Sequence, residues 1–305
     1  MHILIPESIL PDSLARLREK HTVHYDPELV RRPDALLEAA RPANAIIVRR
    51  LTQVRGALLD GMPDCKAVGR LGVGLDNIDV ETCRQRGIAV IPAPGANARS
   101  VAEYVIATAL MLVRTAYLST QEVIDGQWPK ERLNLGGEIQ GRTMGIVGFG
   151  GIGRITGQLA HALGMRVLVY DTAAQNQAGQ QYYQNVSLAE LFASSDVITL
   201  HVPLTPQTRN LVDEKCIRGM KDGAVVINAA RGGIVDETAL LAALRSGKLG
   251  GAALDAFENE PLGKSPQYAQ VPNLILTPHI AGVTADSEVR VNAVVVDKIL
   301  QVLDA

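Results

Sequence analysis

At 305 residues, 47% apolar and 20% charged, the chain has the composition of a folded protein of roughly two domains and not of a disordered segment. A formal net charge of −2 leaves no positive surplus to hold a polyanion, so no nucleic-acid partner is expected. Three scattered cysteines (Cys65, Cys83, Cys216) make neither a Cys-x-x-Cys pair nor a disulfide framework; no signal-peptide pattern opens the chain, and its longest apolar run, 104–113, is about half of a membrane span. These features predict a soluble cytoplasmic protein without a membrane partner.

In chain order, short β-rich runs alternate with helical stretches. Strands are expected near 2–6, 22–25, 45–49, 66–70 and 88–91, and helices near 11–20, 33–41, 53–60 and 79–86, a parallel βαβ pattern. Ser100-Val101-Ala102-Glu103 then reads as a capping box opening a helix to about residue 124, which Gly126-Gln127-Trp128-Pro129 ends. That helix reads as an interdomain strut, with Trp128 beyond it either packed or in contact with a partner subunit. From Thr143 the alternation restarts, with strands at 143–148, 166–170, 196–201, 224–228, 251–254 and 274–276 and a helix at 151–163. A last helix over 285–303 is placed to return to the first domain. The expected fold is α/β, with two doubly wound parallel-sheet domains. One comprises 1–98 with 283–305 and is smaller, flavodoxin-like and discontinuous; the other, 99–282, is a Rossmann domain.

Gly148-x-Gly150-x-x-Gly153 follows a strand and opens a helix, the arrangement in which glycines allow a tight turn, close approach of a pyrophosphate and helix–strand packing. Asp171 ends the next strand, where a carboxylate accepts hydrogen bonds from adenosine ribose hydroxyls and repels a 2′-phosphate. Thr172-Ala173-Ala174 offers no arginine to such a phosphate, so NAD is expected over NADP.

Downstream come Arg231 between small residues, Glu260 before Pro261, and His279 in Thr-Pro-His-Ile-Ala-Gly. An imidazole titrating near neutrality exchanges a proton with a carbonyl oxygen, a carboxylate on its far nitrogen fixes the tautomer, and a guanidinium grips a substrate carboxylate. Taken singly, Glu260 reads equally well as a turn residue, and Arg231 also reads as an interdomain ion-pair partner.

With Gly69-Arg70-Leu71-Gly72-Val73-Gly74-Leu75-Asp76-Asn77-Ile78-Asp79, His201-Val202-Pro203-Leu204-Thr205, Ala230-Arg231-Gly232-Gly233 and Gly251-Ala252-Ala253-Leu254-Asp255 added, the chain resembles the D-isomer-specific 2-hydroxyacid dehydrogenases, and within them the 3-phosphoglycerate dehydrogenase branch. The resemblance spans most of the chain. It implies an NAD-dependent oxidoreductase interconverting a 2-hydroxy acid and a 2-oxo acid without a metal. In it Arg231, Glu260 and His279 are catalytic, and Asp255 holds the nicotinamide carboxamide. Further implied cofactor contacts are Gly148, Gly150, Gly151, Ile152, Gly153, Asp171, His201, Pro203, Ala229, Ala230 and Gly282, with Gly151 standing where many relatives carry arginine. The implied substrate contacts include the amides of Val73 and Gly74. The smaller domain would act as a lid, and a homodimer through the 100–124 helix is implied.

Arg49, Arg50 and Arg70, and Lys130 and Arg132 after Trp128, are candidates for a second anionic group on the substrate. Arg49 and Arg70 match arginines of the phosphoglycerate branch. Arg50 departs from it and reads alternatively as a solvated charge. The N-terminal motifs are also similar to those of sulfolactate dehydrogenases, and hydroxypyruvate or glyoxylate reduction is the alternative. The chain stops soon after the returning helix, so no amino-acid-binding regulatory domain is expected. Transcriptional corepressors that share this fold and its NAD site form a different class, which the absence of basic segments disfavours.

Overall fold

The computed structural model describes residues 1–172 and 182–305. The chain divides into two units, Met1–Asn97 with Val283–Ala305, and Ala98–Gly282.

The first unit is built on five parallel strands, β1 (His2–Ile5), β2 (Thr22–Tyr25), β3 (Ala45–Val48), β4 (Ala67–Arg70) and β5 (Ala89–Ile91), in the order β2-β1-β3-β4-β5. This is the flavodoxin-like order. Consecutive strand residues point to opposite faces, so Ile3, Ile5, Ala45 and Ile47 join one core while Leu4, Ile46 and Val48 join the other. Both faces are covered, and the central strand Ala45–Val48 is apolar throughout and fully buried. The returning helix Ala285–Asp304 covers the first face through Val291, Val295 and Ile299, its N-terminus closed by a Thr284–Ser287 capping box.

The second unit holds seven parallel strands, β6 (Thr143–Val147), β7 (Arg166–Tyr170), β8 (Gln184–Asn185), β9 (Val197–Leu200), β10 (Ala224–Asn228), β11 (Leu249–Leu254) and β12 (Leu274–Leu276). Their order, β12-β11-β10-β9-β6-β7-β8, is that of a Rossmann sheet with one added edge strand. The order reverses between β6 and β9, whose carboxyl ends carry Gly148 and His201. All strands lie within two residues of their expected positions except β8, which the sequence pattern did not show. Ala173 and Ala174 of the strand-end segment lie outside the described residues.

Among the helices that escaped the pattern are Leu188–Ser194, Glu214–Gly219 and Glu237–Ser246. Each is started by a side chain, Ser187, Asp213 or Asp236, that accepts the N–H three residues on. Such a cap stabilises a helix by about 1 kcal/mol.

The 100–124 helix needs correction. It begins at Ala98, so Ser100 lies inside its first turn and Glu103 pairs with Arg99 at 2.5 Å. It ends at Arg114, followed by Thr115 at φ 60°, a 3-10 turn and a separate helix Thr120–Ile124. The returning chain explains the stop: the Gly137 N–H donates to the Val113 carbonyl at 2.9 Å, taking one of the carbonyls a helix end leaves open. Nor does Ala98–Arg114 stand apart from the sheets. Val105, Ala109 and Leu112 pack with Met144, Ile146 and Ile227 of the second unit. Trp128, expected to be packed, is 78% exposed.

Candidate functional site

At the carboxyl end of β6 the chain turns through Gly148 at φ 93°, its N–H donating to the Tyr170 carbonyl at 2.8 Å. A Cβ there would stand 2.6 Å from the His201 carbonyl oxygen, and one at Gly153 would overlap the Gly148 carbonyl. At Gly150 and Gly151, by contrast, a Cβ would meet no atom within 4 Å. The glycines therefore divide into two that permit close packing and two that face open space. Helix Gly151–Ala162 starts there with no side chain capping it, and Ile152 lies in its first turn. Backbone donors at a helix start facing open space suit a pyrophosphate. One Asp171 oxygen accepts the Phe149 N–H at 2.6 Å, tying the acidic strand end to the glycine loop. The donor set and the open cradle both fit NAD.

The neighbouring strand ends carry the other candidates. The N–H of His201 donates to Val147 at 2.7 Å, and its Nε2 lies 3.1 Å from the Thr199 hydroxyl. Burial pushes its pKa down to about 4, so this imidazole is neutral near pH 7. Pro203 accepts the Thr208 hydroxyl at 2.6 Å, which braces the loop after β9. Beyond β10 the buried Asn228 shapes the turn: its Oδ1 accepts the Ala230 N–H at 3.1 Å and its Nδ2 donates to the Arg231 carbonyl at 2.9 Å. Ala229, Ala230 and Arg231 are thereby held on one tight turn, and the Arg231 Nη1 donates to the Ala230 carbonyl at 2.7 Å. A side chain at Gly232 would overlap the Phe257 carbonyl, which brings the Arg231 turn against the segment leading to Glu260.

His279 and Glu260 meet. The imidazole Nδ1 lies 2.9 and 2.8 Å from the two carboxylate oxygens, so Nδ1–H donates and Nε2 is the ring nitrogen that the carboxylate does not hold. The same carboxylate accepts the Phe257 N–H at 3.0 Å, so Glu260 also braces its own turn.

His279 itself sits at φ 56°, a conformation rare for a residue with a side chain. Asp255, 1% exposed, holds it there. One of its oxygens accepts the Thr277 hydroxyl at 2.6 Å and the Ile280 N–H at 2.8 Å, and the other accepts the Ala281 N–H at 2.9 Å. Both sides of His279 are thus tied to one carboxylate, just before Gly282. Because the Thr277 hydroxyl already donates to Asp255, its contact with the Tyr104 hydroxyl at 2.7 Å must have Tyr104 as donor. Burial raises the Tyr104 pKa, which keeps that proton in place. Asn228, Thr277 and Tyr104 were missed by sequence reading. Only Asn228 carried a signal, as an Asx residue at a strand end.

The first unit carries the remaining candidates. Arg49 forms a two-pronged ion pair with Glu288, 2.8 and 2.6 Å, on the returning helix. Its charge is therefore balanced within the unit, and an incoming anion must compete with that carboxylate. Arg50, next to it, is exposed. Arg70 Nη1 donates to the Leu71 carbonyl at 2.9 Å, and its guanidinium occupies the space where a Cβ of Gly72 would stand. Val73 and Gly74 follow in the same loop, Val73 being exposed.

The family described as D-isomer specific 2-hydroxyacid dehydrogenase, NAD binding domain, matches residues 106–281. The chain belongs to that family. It is similar to the (S)-sulfolactate dehydrogenase of Chromohalobacter salexigens, with 47% identity over 99% of this chain and 98% of that relative. The D-3-phosphoglycerate dehydrogenase of Archaeoglobus fulgidus is 36% identical over 98% of this chain, which spans 57% of that protein's length. Among solved structures, the TT0316 protein of Thermus thermophilus superposes with a TM-score of 0.90 at 33% identity, covering 100% of this chain and 97% of that one. The chain is thus an NAD-dependent 2-hydroxyacid dehydrogenase, built from two parallel-sheet α/β domains.

Proposed function

We propose that this dehydrogenase interconverts a 2-hydroxy acid and a 2-oxo acid whose third carbon bears a second anionic group, of the sulfolactate or 3-phosphoglycerate type. The observation that carries the reaction chemistry is the His279–Glu260 pair, with Nδ1 held by the carboxylate and Nε2 not. NAD, held by the Gly148–Gly153 loop and Asp171, would supply the hydride donor or acceptor for carbon 2 of the substrate. His279 gives its Nε2 proton to the carbonyl oxygen in reduction and recovers it in oxidation, while Glu260 stabilises the imidazolium. Arg231 binds the substrate carboxylate and polarises the adjacent carbonyl, and the amides of Val73 and Gly74 bind the same carboxylate. Arg50 and Arg70 take the second anion. Arg49, which Glu288 engages, joins them in that role. The similarity to a sulfolactate dehydrogenase favours a sulfonate at that position.

The test is a kcat/KM series with NADH over 3-sulfopyruvate, 3-phosphohydroxypyruvate, hydroxypyruvate and glyoxylate. An added charge-assisted contact predicts about ten-fold or greater preference for the dianions. Preference for hydroxypyruvate or glyoxylate would replace this reading with the simpler reductase, and no NADH oxidation on any 2-oxo acid would remove the enzymatic reading of this site. We further propose a cytoplasmic homodimer. Supporting the second copy are Tyr117, Ile124, Trp128 and Leu135, large apolar residues exposed within one short stretch. No helix among the described residues is long and apolar enough to cross a membrane.

A further inference from the structure

The loop after β3, which carries Arg49 and Arg50, is held through its backbone from two sides. Glu7, just past the end of β1, is 5% exposed, and one of its oxygens accepts the N–H groups of Arg49 at 2.9 Å and Thr52 at 3.0 Å. Its other oxygen accepts the N–H of Leu51 at 3.2 Å. Asn77, also 5% exposed, supplies the opposite polarity: its Nδ2 donates to the carbonyls of Arg49 at 3.1 Å and Thr52 at 2.6 Å. The loop's inward donors go to a carboxylate and two of its carbonyls to an amide.

Converging backbone N–H groups of this kind ordinarily make an anion-binding nest. Here the protein's own Glu7 fills it, so the loop meets a substrate anion through side chains. The position is distinctive as well. In the order β2-β1-β3-β4-β5 the sheet reverses direction between β1 and β3, and ligands of open α/β sheets bind beyond the strand ends at such a point. A concavity of about 410 Å³ opens there; its charged lining is Glu7, Glu28, Arg31, Arg49 and Arg50, with Arg31 paired to Glu28 at 3.0 Å.

We propose that Glu7 and Asn77 are positioning residues that set selectivity for the second substrate anion by fixing the 49–52 backbone on which Arg50 stands. This rests on the second-anion reading given above. A carboxylate and an amide that clamp a loop on both faces remove its freedom before the ligand arrives, so the arginine loses less entropy on binding.

The substitution Glu7→Gln keeps size but turns an NH2 group toward at least one backbone N–H, leaving donor against donor. The readout is the ratio of kcat/KM for 3-sulfopyruvate to that for hydroxypyruvate, with KM and kcat separated and Tm recorded. The expected result is a ratio lowered about ten-fold, through KM for the dianion. Asn77→Asp, which sets a carboxylate against the two carbonyls, is expected to lower the same ratio and gives the reading if Glu7→Gln does not fold. Equal losses on both substrates, an unchanged ratio, or failure of both variants to fold would make the clamp a folding element and overturn the proposal. Arg50→Ala separates the two levels. If it lowers the ratio while folded Glu7→Gln and Asn77→Asp do not, only the positioning role fails; if it leaves the ratio unchanged, the second-anion reading at Arg50 fails and this inference with it.

Discussion

His279 and Asp255 show how much a side chain's role depends on partners outside its own segment. The order Arg231, Glu260, His279 is visible in the chain, and so is the chemistry an imidazole with a carboxylate can perform. What the chain does not show is that Asp255 accepts three hydrogen bonds from the loop around His279, or that Tyr104, from a helix 173 residues earlier, completes the network through Thr277. The motif Gly-Ala-Ala-Leu-Asp suggests a cofactor contact for Asp255, whereas its carboxylate is also a brace for a residue at positive φ. Two substitutions separate these jobs. His279→Ala is expected to lower kcat by about 10²–10⁴-fold while NADH binding by fluorescence titration changes little, as for loss of a general acid. Asp255→Asn puts an NH2 group where a loop donor now binds, costing about 1–3 kcal/mol. Both kcat and Tm should fall. Full kcat in His279→Ala would sink the acid/base role, and an unchanged Tm in Asp255→Asn would sink the brace.

The strand–glycine–helix element was legible because its requirements are local: a buried apolar strand, fixed glycine spacing and an acidic residue at the next strand end. The division of labour within it was not, since it depends on which atoms lie opposite each glycine. Gly153→Ala places a methyl on the Gly148 carbonyl, so the helix must move from the strand; NADH affinity should fall at least about ten-fold and the core should loosen. Gly151→Ala meets nothing within 4 Å in this structure and serves as the control. Equal effects of the two on the NADH dissociation constant would refute this assignment. The helix beginning at Ala98 illustrates the opposite case. Its apolar pattern continues beyond Arg114, yet Tyr117 and Ile124 emerge exposed. Periodicity reports that a face is apolar; it does not report what covers it, nor that a distant Gly137 takes one of the last carbonyls.

For the whole molecule the exposed stretch around Trp128 leads to an assembly prediction. Ile124→Glu with Trp128→Glu should halve the mass seen by light scattering while leaving each protomer folded, because burying two unpaired carboxylates in an interface is strongly unfavourable. A wild-type chain that scatters as a monomer would exclude the dimer. The doubly wound architecture of both units was readable from alternation alone, since strands covered on two faces must be apolar along their whole length and helices between them must carry one apolar stripe. Motif order and glycine spacing likewise belong to the chain and survive any rearrangement of its surroundings. Partnerships do not. Arg49 engages Glu288 239 residues away, Glu7 fills a nest 42 to 45 residues on, and Asp255 reaches past β12 to hold the loop around His279. A hydrogen bond is specified by atoms within about 3 Å of each other, and only folding brings such atoms together from distant parts of the chain.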